Sequence, residues 1–217
     1  MKFNNYDPIA RYYDWLSRLF FGRSEIDAQV GMLKYVAADS RVLIVGGGTG
    51  WILEELAAIH PVGLRIVYVE PSREMMSLSR KRHCGQNDVV FVQLPVEQWV
   101  TEERFDVILT GFVFDNFTAD RTGVVFRLLD GLLRDGGCWL FAEFCLQKGV
   151  GKFWQALMLK TMYWSARLVC RVEASQLTDA EPLFAAAGYK QLERAYYYAR
   201  FIKAIVYQKC DSILGKK

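Results

Sequence analysis

The sequence predicts an α/β fold in which a mostly parallel sheet carries helices on both faces. Three observations predict it. Short apolar runs rich in β-branched and aromatic residues recur along the chain, stretches with helical spacing separate them, and a glycine-rich turn closes the first run and opens the helix behind it. Strands alternating with helices imply a parallel sheet wrapped on both sides.

In chain order, Asp7 followed by Pro8 reads as an N-cap and first helical residue, and Ser24 with acidic residues behind it as a second helix start. Two helices therefore precede the first strand. The buried strands are RVLIVG (41–46), LRIVYVE (64–70), VVFVQL (89–94), FDVILTG (105–111) and GCWLFAEF (137–144). Helices are expected over 51–60, 72–83 and 119–134; in the last, Val125, Leu128, Leu129, Leu132 and Leu133 form one apolar face. Gly136-Gly137 reads as the glycine stop of that helix. Residues 153–172 have helical spacing and no strand of their own, as an inserted helix would. Thr178-x-x-Glu181 reads as a capping box for a short helix ended by Gly188, and 189–209, rich in Tyr, Ile and Val, as two adjacent strands. No repeat or linker splits the chain. The expected organisation is one domain over 1–217: a helical cap (1–40), a core (41–145), a helical insertion (146–177) and a C-terminal helix with a strand pair (178–210).

Composition narrows the function classes. At 217 residues one domain is the better prior, and 52% apolar residues with 24% charged is the balance of a globular core. A net charge of +3 with scattered basic residues does not argue for nucleic acid, and Arg80-Lys81-Arg82 reads as the solvated end of a helix. The longest uncharged run, Val42 to Leu53, is twelve residues, short of the roughly 18 that span a bilayer. Asp7, Arg11 and Asp14 interrupt the N-terminal segment where a signal peptide needs an apolar core, so a cytoplasmic location is expected. Five widely spaced cysteines point to buried free thiols rather than disulfides or zinc, and His60 and His83, without partners at metal or triad spacing, read as helix-end or loop residues. No metal is expected.

The most informative residues are Gly46, Gly47, Gly48, Thr49 and Gly50, where the first strand ends and a helix begins. Free backbone N–H groups at such a turn bind a nucleotide or similar cofactor. A dinucleotide fingerprint needs a third glycine where Trp51 stands, so the pattern is Gly46-x-Gly48-x-Gly50, followed 20 residues after Gly50 by Glu70 at the tip of the second strand. An acidic group there can accept both hydroxyls of a ribose.

In VLIVGGGTG, VYVEPS, FDVILTGFVFDNF and LLRDGGCWLFAEF the chain resembles the class I S-adenosylmethionine-dependent methyltransferases, over about residues 6–209. YDPIARYYDWLSRLFFG is similar to the opening of the ubiquinone/menaquinone-biosynthesis type. The resemblance implies a Rossmann-like, seven-stranded sheet whose last strand is antiparallel, and S-adenosylmethionine as cofactor with S-adenosylhomocysteine as product. It also implies roles: Gly46, Gly48 and Gly50 under the methionine part and ribose, Glu70 on the ribose hydroxyls, Pro71 beside the adenine, and Thr110 and Gly111 flanking the sulfonium and substrate. Tyr13, on the N-terminal helix, is placed at the cofactor too. Two positions depart from the family pattern: Ile44 stands where an acidic residue usually helps orient the methionine amino group, and Pro95 where an Asp usually accepts the adenine amino group. The backbone of Val96 and the side chain of Glu97 are the available substitutes for the second.

Methyl transfer from a sulfonium is an in-line displacement with an activated donor, so the scarcity of His is no objection and the protein's main contribution is alignment. If the acceptor needs a general base, Asp115, Glu143 and, on the N-terminal helix, Tyr12 or Tyr13 are the candidates; their plainer readings are a turn residue, a solvent-facing strand end and ordinary packing. Tyr6, Tyr12, Tyr13 and Trp15, with Phe153, Trp154, Met158, Met162 and Trp164, suit a small hydrophobic or aromatic acceptor, though a helical aromatic stripe also reads as core. Lys152, Lys160 and Arg167 would let the inserted helix rest on a membrane surface. The first reading is thus a small-molecule methyltransferase. Rivals are a protein acceptor, a non-catalytic S-adenosylmethionine-binding or scaffold protein, motivated by Ile44 and Pro95, and a nicotinamide oxidoreductase, disfavoured by Trp51.

Overall fold

The computed structural model describes residues 6–146, 153–161 and 177–210. Seven strands form one sheet: β1 (Arg41–Val45), β2 (Val62–Val69), β3 (Gln86–Val92), β4 (Phe105–Gly111), β5 (Leu133–Phe144), β6 (Lys190–Tyr197) and β7 (Ile202–Gln208). Their order is β3-β2-β1-β4-β5-β7-β6. The first five pair in parallel, and β7 is antiparallel to both β5 and β6. The Tyr-rich segment is therefore the hairpin that the sequence predicts.

Alternation along the strands explains why so many residues are apolar. In β5, Leu140, Ala142 and Phe144 face one side, while Trp139 and Phe141 face the other. The first side is covered by α1 (Ala10–Phe21), α2 (Ser24–Val30) and α3 (Trp51–Ile59), through Phe21, Ala28, Ile52, Leu53 and Leu56, joined by Met76 of α4 (Arg73–Ser79). The second is covered by α5 (Ala119–Leu132), through Val125, Phe126, Leu129 and Leu132. A further helical stretch, α6 (153–161), and α7 (Glu181–Ala186) follow β5. Phe184 of α7 is fully buried among Phe126, Trp139, Phe141 and Tyr207. A sheet buried on both faces needs the near-continuous apolar strands seen in the sequence.

Four local expectations give way to tertiary contacts. Gly136-Gly137 does not stop α5, which ends at Leu132 with β5 following directly. Phe105 pairs with Leu133 and Val107 with Cys138, so four residues of β5 bulge out opposite Asp106, and Gly136 (φ +75°) makes that bend. Asp7 does not cap its own helix: it sits inside a 3₁₀ turn, and its Oδ1 accepts from the Ser72 hydroxyl (2.5 Å) and the Glu74 N–H (3.1 Å), capping α4 instead. The Thr178/Glu181 capping box does not form. Thr178 donates to the Phe117 carbonyl, and the Glu181 carboxylate is taken by Arg194 and by Lys203 (2.7 Å), which bind it more strongly than a backbone N–H would. Among the described residues the thiols form no disulfide but are not buried: Cys84, Cys138 and Cys145 are half-buried and Cys210 is exposed; Cys170 lies outside the described residues.

His60 is the C-cap of α3, its ring 2.8 Å from the Val36 carbonyl, and His83 lies in the loop after α4. Of the inserted helix, Lys152, Met162, Trp164, Arg167, Leu168 and Val169 lie outside the described residues. Among the described residues, no helix is long and apolar enough to cross a membrane.

Candidate active site

A cleft opens at the carboxyl ends of β1, β2 and β4, with an empty volume of about 1300 Å³ counted out to its mouth. That is the place where parallel α/β sheets bind ligands. Its floor is the loop from Gly46 to Gly50. The Gly46 N–H donates to the Val69 carbonyl (2.8 Å), which ties the loop to the end of β2. Gly47 lies against the Tyr68 ring, so closely that a side chain there would collide with it, and the Tyr68 hydroxyl donates to the Gly48 carbonyl at 2.8 Å. Gly50 caps α3 at φ +82°, where an added Cβ would lie 2.7 Å from the Ser79 Cα. Gly50→Ala therefore combines a left-handed backbone with a backbone collision, and we expect it to cost about 2 kcal/mol or more of folding stability, read from urea denaturation.

Glu70 leaves β2 beside this loop and is buried. Its two oxygens accept from the Ser72 N–H (2.9 Å) and the Gly48 N–H (3.1 Å). Burial pushes its carboxyl up to about 7 against the pull of these two hydrogen bonds. Pro71, Pro95, Val96 and Glu97 continue the wall. Glu97 Oε1 pairs with Arg121 Nε at 2.5 Å, and the guanidinium in turn lies over the Phe117 ring. Glu97 Oε2 is buried and has no hydrogen-bond partner among the described residues. Ile44, by contrast, is fully buried within the sheet, level with Tyr68 and Leu109.

The opposite wall comes from the N-terminal helices. Tyr6, Tyr13, Asp14 and Ser17 line it, as do Glu25 and Gln29 of α2, four residues apart on one helical face. Gln29 packs its amide against Gly111 at the end of β4, where no side chain would fit. Ser17 donates to Glu25, whose carboxyl burial pushes up to about 7. The Tyr13 phenol is raised well above its usual value by burial, and then by Glu25, Asp115, Asp14 and Glu70. Its hydroxyl is thus held in the neutral, donating form near pH 7. Arg82 locks this wall to the floor: it donates to the Thr49 carbonyl (3.0 Å) and to Asp14 (2.8 Å) and Glu54 (3.2 Å), while the Thr49 hydroxyl donates to Asp14 (2.7 Å). The basic triplet is in that respect not the solvated helix end that its charge pattern predicts, since only Arg80 and Lys81 are exposed.

The structure brings Gly46, Gly47, Gly48, Thr49, Glu70, Pro71, Pro95, Val96, Glu97, Gly111 and Tyr13 to the cleft wall, with Gly50 capping the helix behind it. It does not bring Thr110 there: that residue is fully buried, and its hydroxyl accepts from the Trp139 indole at 2.9 Å. Glu143 and Asp115 stand behind the wall rather than on it. Glu143 does not face solvent; it is buried, and its Oε1 accepts from the N–H groups of Val113 (2.9 Å) and Phe114 (2.8 Å), while Oε2 has no partner among the described residues. It thereby pins the loop after β4, in which Phe112 holds a left-handed conformation (φ +57°) on the cleft wall. Burial raises both carboxyls, Glu143 well above the usual range and Asp115 to about 7. Tyr12 and Trp15 point away from the cleft, at 65% and 63% exposure. Sequence reasoning missed Glu25 and Gln29, which reach the cleft only through long-range packing, and Arg82, which braces its wall from behind.

Glu25, Glu70, Asp115 and Glu143 hold their protons to higher pH when folded than when unfolded. Their contribution to stability is full below the ordinary carboxylate range; for Glu25, Glu70 and Asp115 it is lost as pH rises through about 7, and for Glu143, raised well above the usual range by burial, it falls as pH rises above that range. Glu181 opposes this only at acid pH, because, against the effect of its burial, Arg194 and Lys203 hold its carboxyl low. The ligand-free protein is therefore expected to melt several degrees lower at about pH 8 than at about pH 5.5, since each kcal/mol lost shifts the midpoint by about 2–4 °C at this size. A pH series of calorimetric scans checks this.

The sheet order, the reversed β7 and a glycine loop above a strand-end acid together define a Rossmann-like fold. Residues 43–139 match a family described as a methyltransferase domain. Among curated proteins, the chain is 30% identical over 146 residues to the ubiquinone/menaquinone biosynthesis C-methyltransferase UbiE of Geotalea daltonii, covering 64% of this chain and 61% of that protein. The chain spans about three fifths of that relative's length and about a third of its counterpart from Geotalea uraniireducens. Among solved structures, the 1,6-didemethyltoxoflavin-N1-methyltransferase of Burkholderia thailandensis, with bound 1,6-didemethyltoxoflavin and S-adenosylhomocysteine, superposes with a TM-score of 0.59 at 19% identity, covering 93% of this chain and 88% of that one. The N-methyltransferase NodS of Bradyrhizobium japonicum, in complex with S-adenosylhomocysteine, gives 0.62 at 14%, covering 86% and 84%.

Proposed function

We propose that the chain transfers a methyl group from S-adenosylmethionine to a small, hydrophobic or aromatic acceptor. The observation that carries this is Glu70, held beside the glycine loop by two backbone N–H groups with lone pairs left on both oxygens, the arrangement that a ribose diol needs. The cleft also fits the adenine end. Glu97 Oε2, buried and unpartnered, supplies the acceptor that Pro95 lacks for an exocyclic amino group. Ile44 contributes no carboxylate at the methionine end, but Asp14, hydrogen-bonded to Thr49, puts one beside the loop.

When bound, S-adenosylmethionine supplies a methyl group already activated by its sulfonium. The work left to the chain is to orient and to exclude water. Gly111, Phe112 and Val113, held by Glu143, shape the wall where an acceptor would lie. Tyr13 can donate a hydrogen bond to an acceptor oxygen, and Glu25 or, through the loop, Asp115 can take the proton that a phenol or amine releases; carboxyls poised near 7 suit that role. Small-molecule acceptors are favoured by the aromatic side chains of Tyr6, Tyr13, Trp51, Phe112 and Phe117 on the cleft wall and by a relative whose name places it in ubiquinone/menaquinone biosynthesis.

The test is transfer of radiolabelled methyl from S-adenosylmethionine to a panel of small phenols, quinols and aromatic amines, with a Glu70→Ala control. Labelled product that is absent from the control supports the reading. Cofactor binding without transfer to any member would instead favour a non-catalytic binding protein, the reading that Ile44 motivates.

A further inference from the structure

The outer face of α1 is built the wrong way round for a helix exposed to water. Tyr12, Trp15 and Leu19 recur at three- and four-residue spacing and are 65%, 63% and 62% exposed, with Phe20 at 55% beside them. The polar residues of the helix, Asp14 and Ser17, turn inward to Arg82, Thr49 and Glu25. What remains on the outside besides the apolar groups is Arg11 and Arg18, with no carboxylate of the helix's own; Arg11 meets Glu74 of α4 only at 4.0 Å, both side chains being solvated.

The same composition recurs on α6. Phe153 is 80% and Leu157 55% exposed, and Lys160 is the only charged residue within 153–161. Tyr198 joins the two helices: its hydroxyl donates to the Phe20 carbonyl (2.7 Å), and its ring lies 6.1 Å from that of Trp154. Exposed apolar residues scattered singly need no explanation, but a continuous band does.

We propose that this band seats the protein on an anionic lipid bilayer. Aromatic and aliphatic side chains at the acyl boundary, with arginine and lysine among the headgroups, match the band's chemistry, and the lipid's charge suits two helices whose one carboxylate, Asp14, is held inward by Arg82 and Thr49. A protein partner would have to offer an apolar surface edged by acids alone. Because α1 also lines the cleft through Tyr13, Ser17 and Arg18, a bilayer against its outer face lies next to the cleft mouth.

The test is sedimentation of the full chain with vesicles of phosphatidylcholine alone and of equimolar phosphatidylcholine and phosphatidylglycerol, at about 0.1 M salt and again well above it. We expect binding to the anionic vesicles, weakened by salt, and about tenfold or more weaker binding of Trp15→Glu/Leu19→Glu, whose midpoint of thermal unfolding stays unchanged because both residues are exposed. Equal binding to both vesicle types, no binding to either, or unchanged binding of the double variant would overturn the proposal. So would a double variant that shifts the protein from dimer to monomer in solution while vesicle binding persists, since the band would then be a contact between copies.

Discussion

Glu70→Ala is expected to abolish measurable binding of S-adenosylmethionine while leaving a folded protein. The substitution removes the acceptor for two hydrogen bonds that the ribose hydroxyls would donate to the carboxylate, each worth about 1.5–3 kcal/mol, so affinity should fall about a hundredfold or more. It also frees the Gly48 and Ser72 N–H groups that Glu70 now holds, loosening the floor on which the ligand would sit. Folding should suffer less, because alanine relieves the burial that raises this carboxyl. Glu70→Gln separates the two effects: it keeps an acceptor but loses the charge, and its affinity should lie between those of Ala and the parent. The parent's affinity should itself rise with pH through about 7, as Glu70 ionises, and this rise should be missing from the Gln variant. Calorimetric titration of the three proteins across pH checks both statements.

The second large effect is expected at Glu143, which touches no part of the cleft. Glu143→Ala leaves the N–H groups of Val113 and Phe114 buried without an acceptor, at about 1–3 kcal/mol each, and opens a cavity beneath the loop. Stability should therefore fall by several kcal/mol, and the wall formed by Gly111, Phe112 and Val113 should lose its fixed shape. Glu143→Gln should behave quite differently. Its amide oxygen can accept the same two bonds, and it removes the carboxyl that burial and Asp115 push upward. Its stability should match or exceed the parent's at alkaline pH, with a shallower decline between about pH 5.5 and pH 8. Urea denaturation at the two pH values reads both variants.

The parts legible in the sequence were those set by local pattern. Buried strands such as 105–111 are apolar because both faces of the sheet are covered, and Gly46-x-Gly48-x-Gly50 with Glu70 depends on spacing alone. Local signals failed where a distant group competed for the same atoms. Asp7 caps α4 rather than its own helix, and Lys203 and Arg194 take the Glu181 carboxylate from its capping box. Gly136 serves a bulge that exists only because β4 and β5 pair out of step. The cleft wall built by the N-terminal helices was least legible. Glu25 and Gln29 reach the cleft through the packing of α2 on Gly111, and no spacing in the chain announces that contact. The aromatic residues of α1 divide in a way that composition hides: Tyr6 and Tyr13 line the cleft, while Tyr12 and Trp15 face out.

On our proposal this cleft is built for S-adenosylmethionine. Calorimetric titration of the purified protein with S-adenosylmethionine and S-adenosylhomocysteine, with NAD as the control, tests it most directly. We expect micromolar binding of both adenosyl compounds, roughly −8 kcal/mol at 1 μM, no heat from NAD, and loss of both signals in Glu70→Ala. Absence of binding by both adenosyl compounds, or binding that Glu70→Ala leaves unchanged, would contradict it.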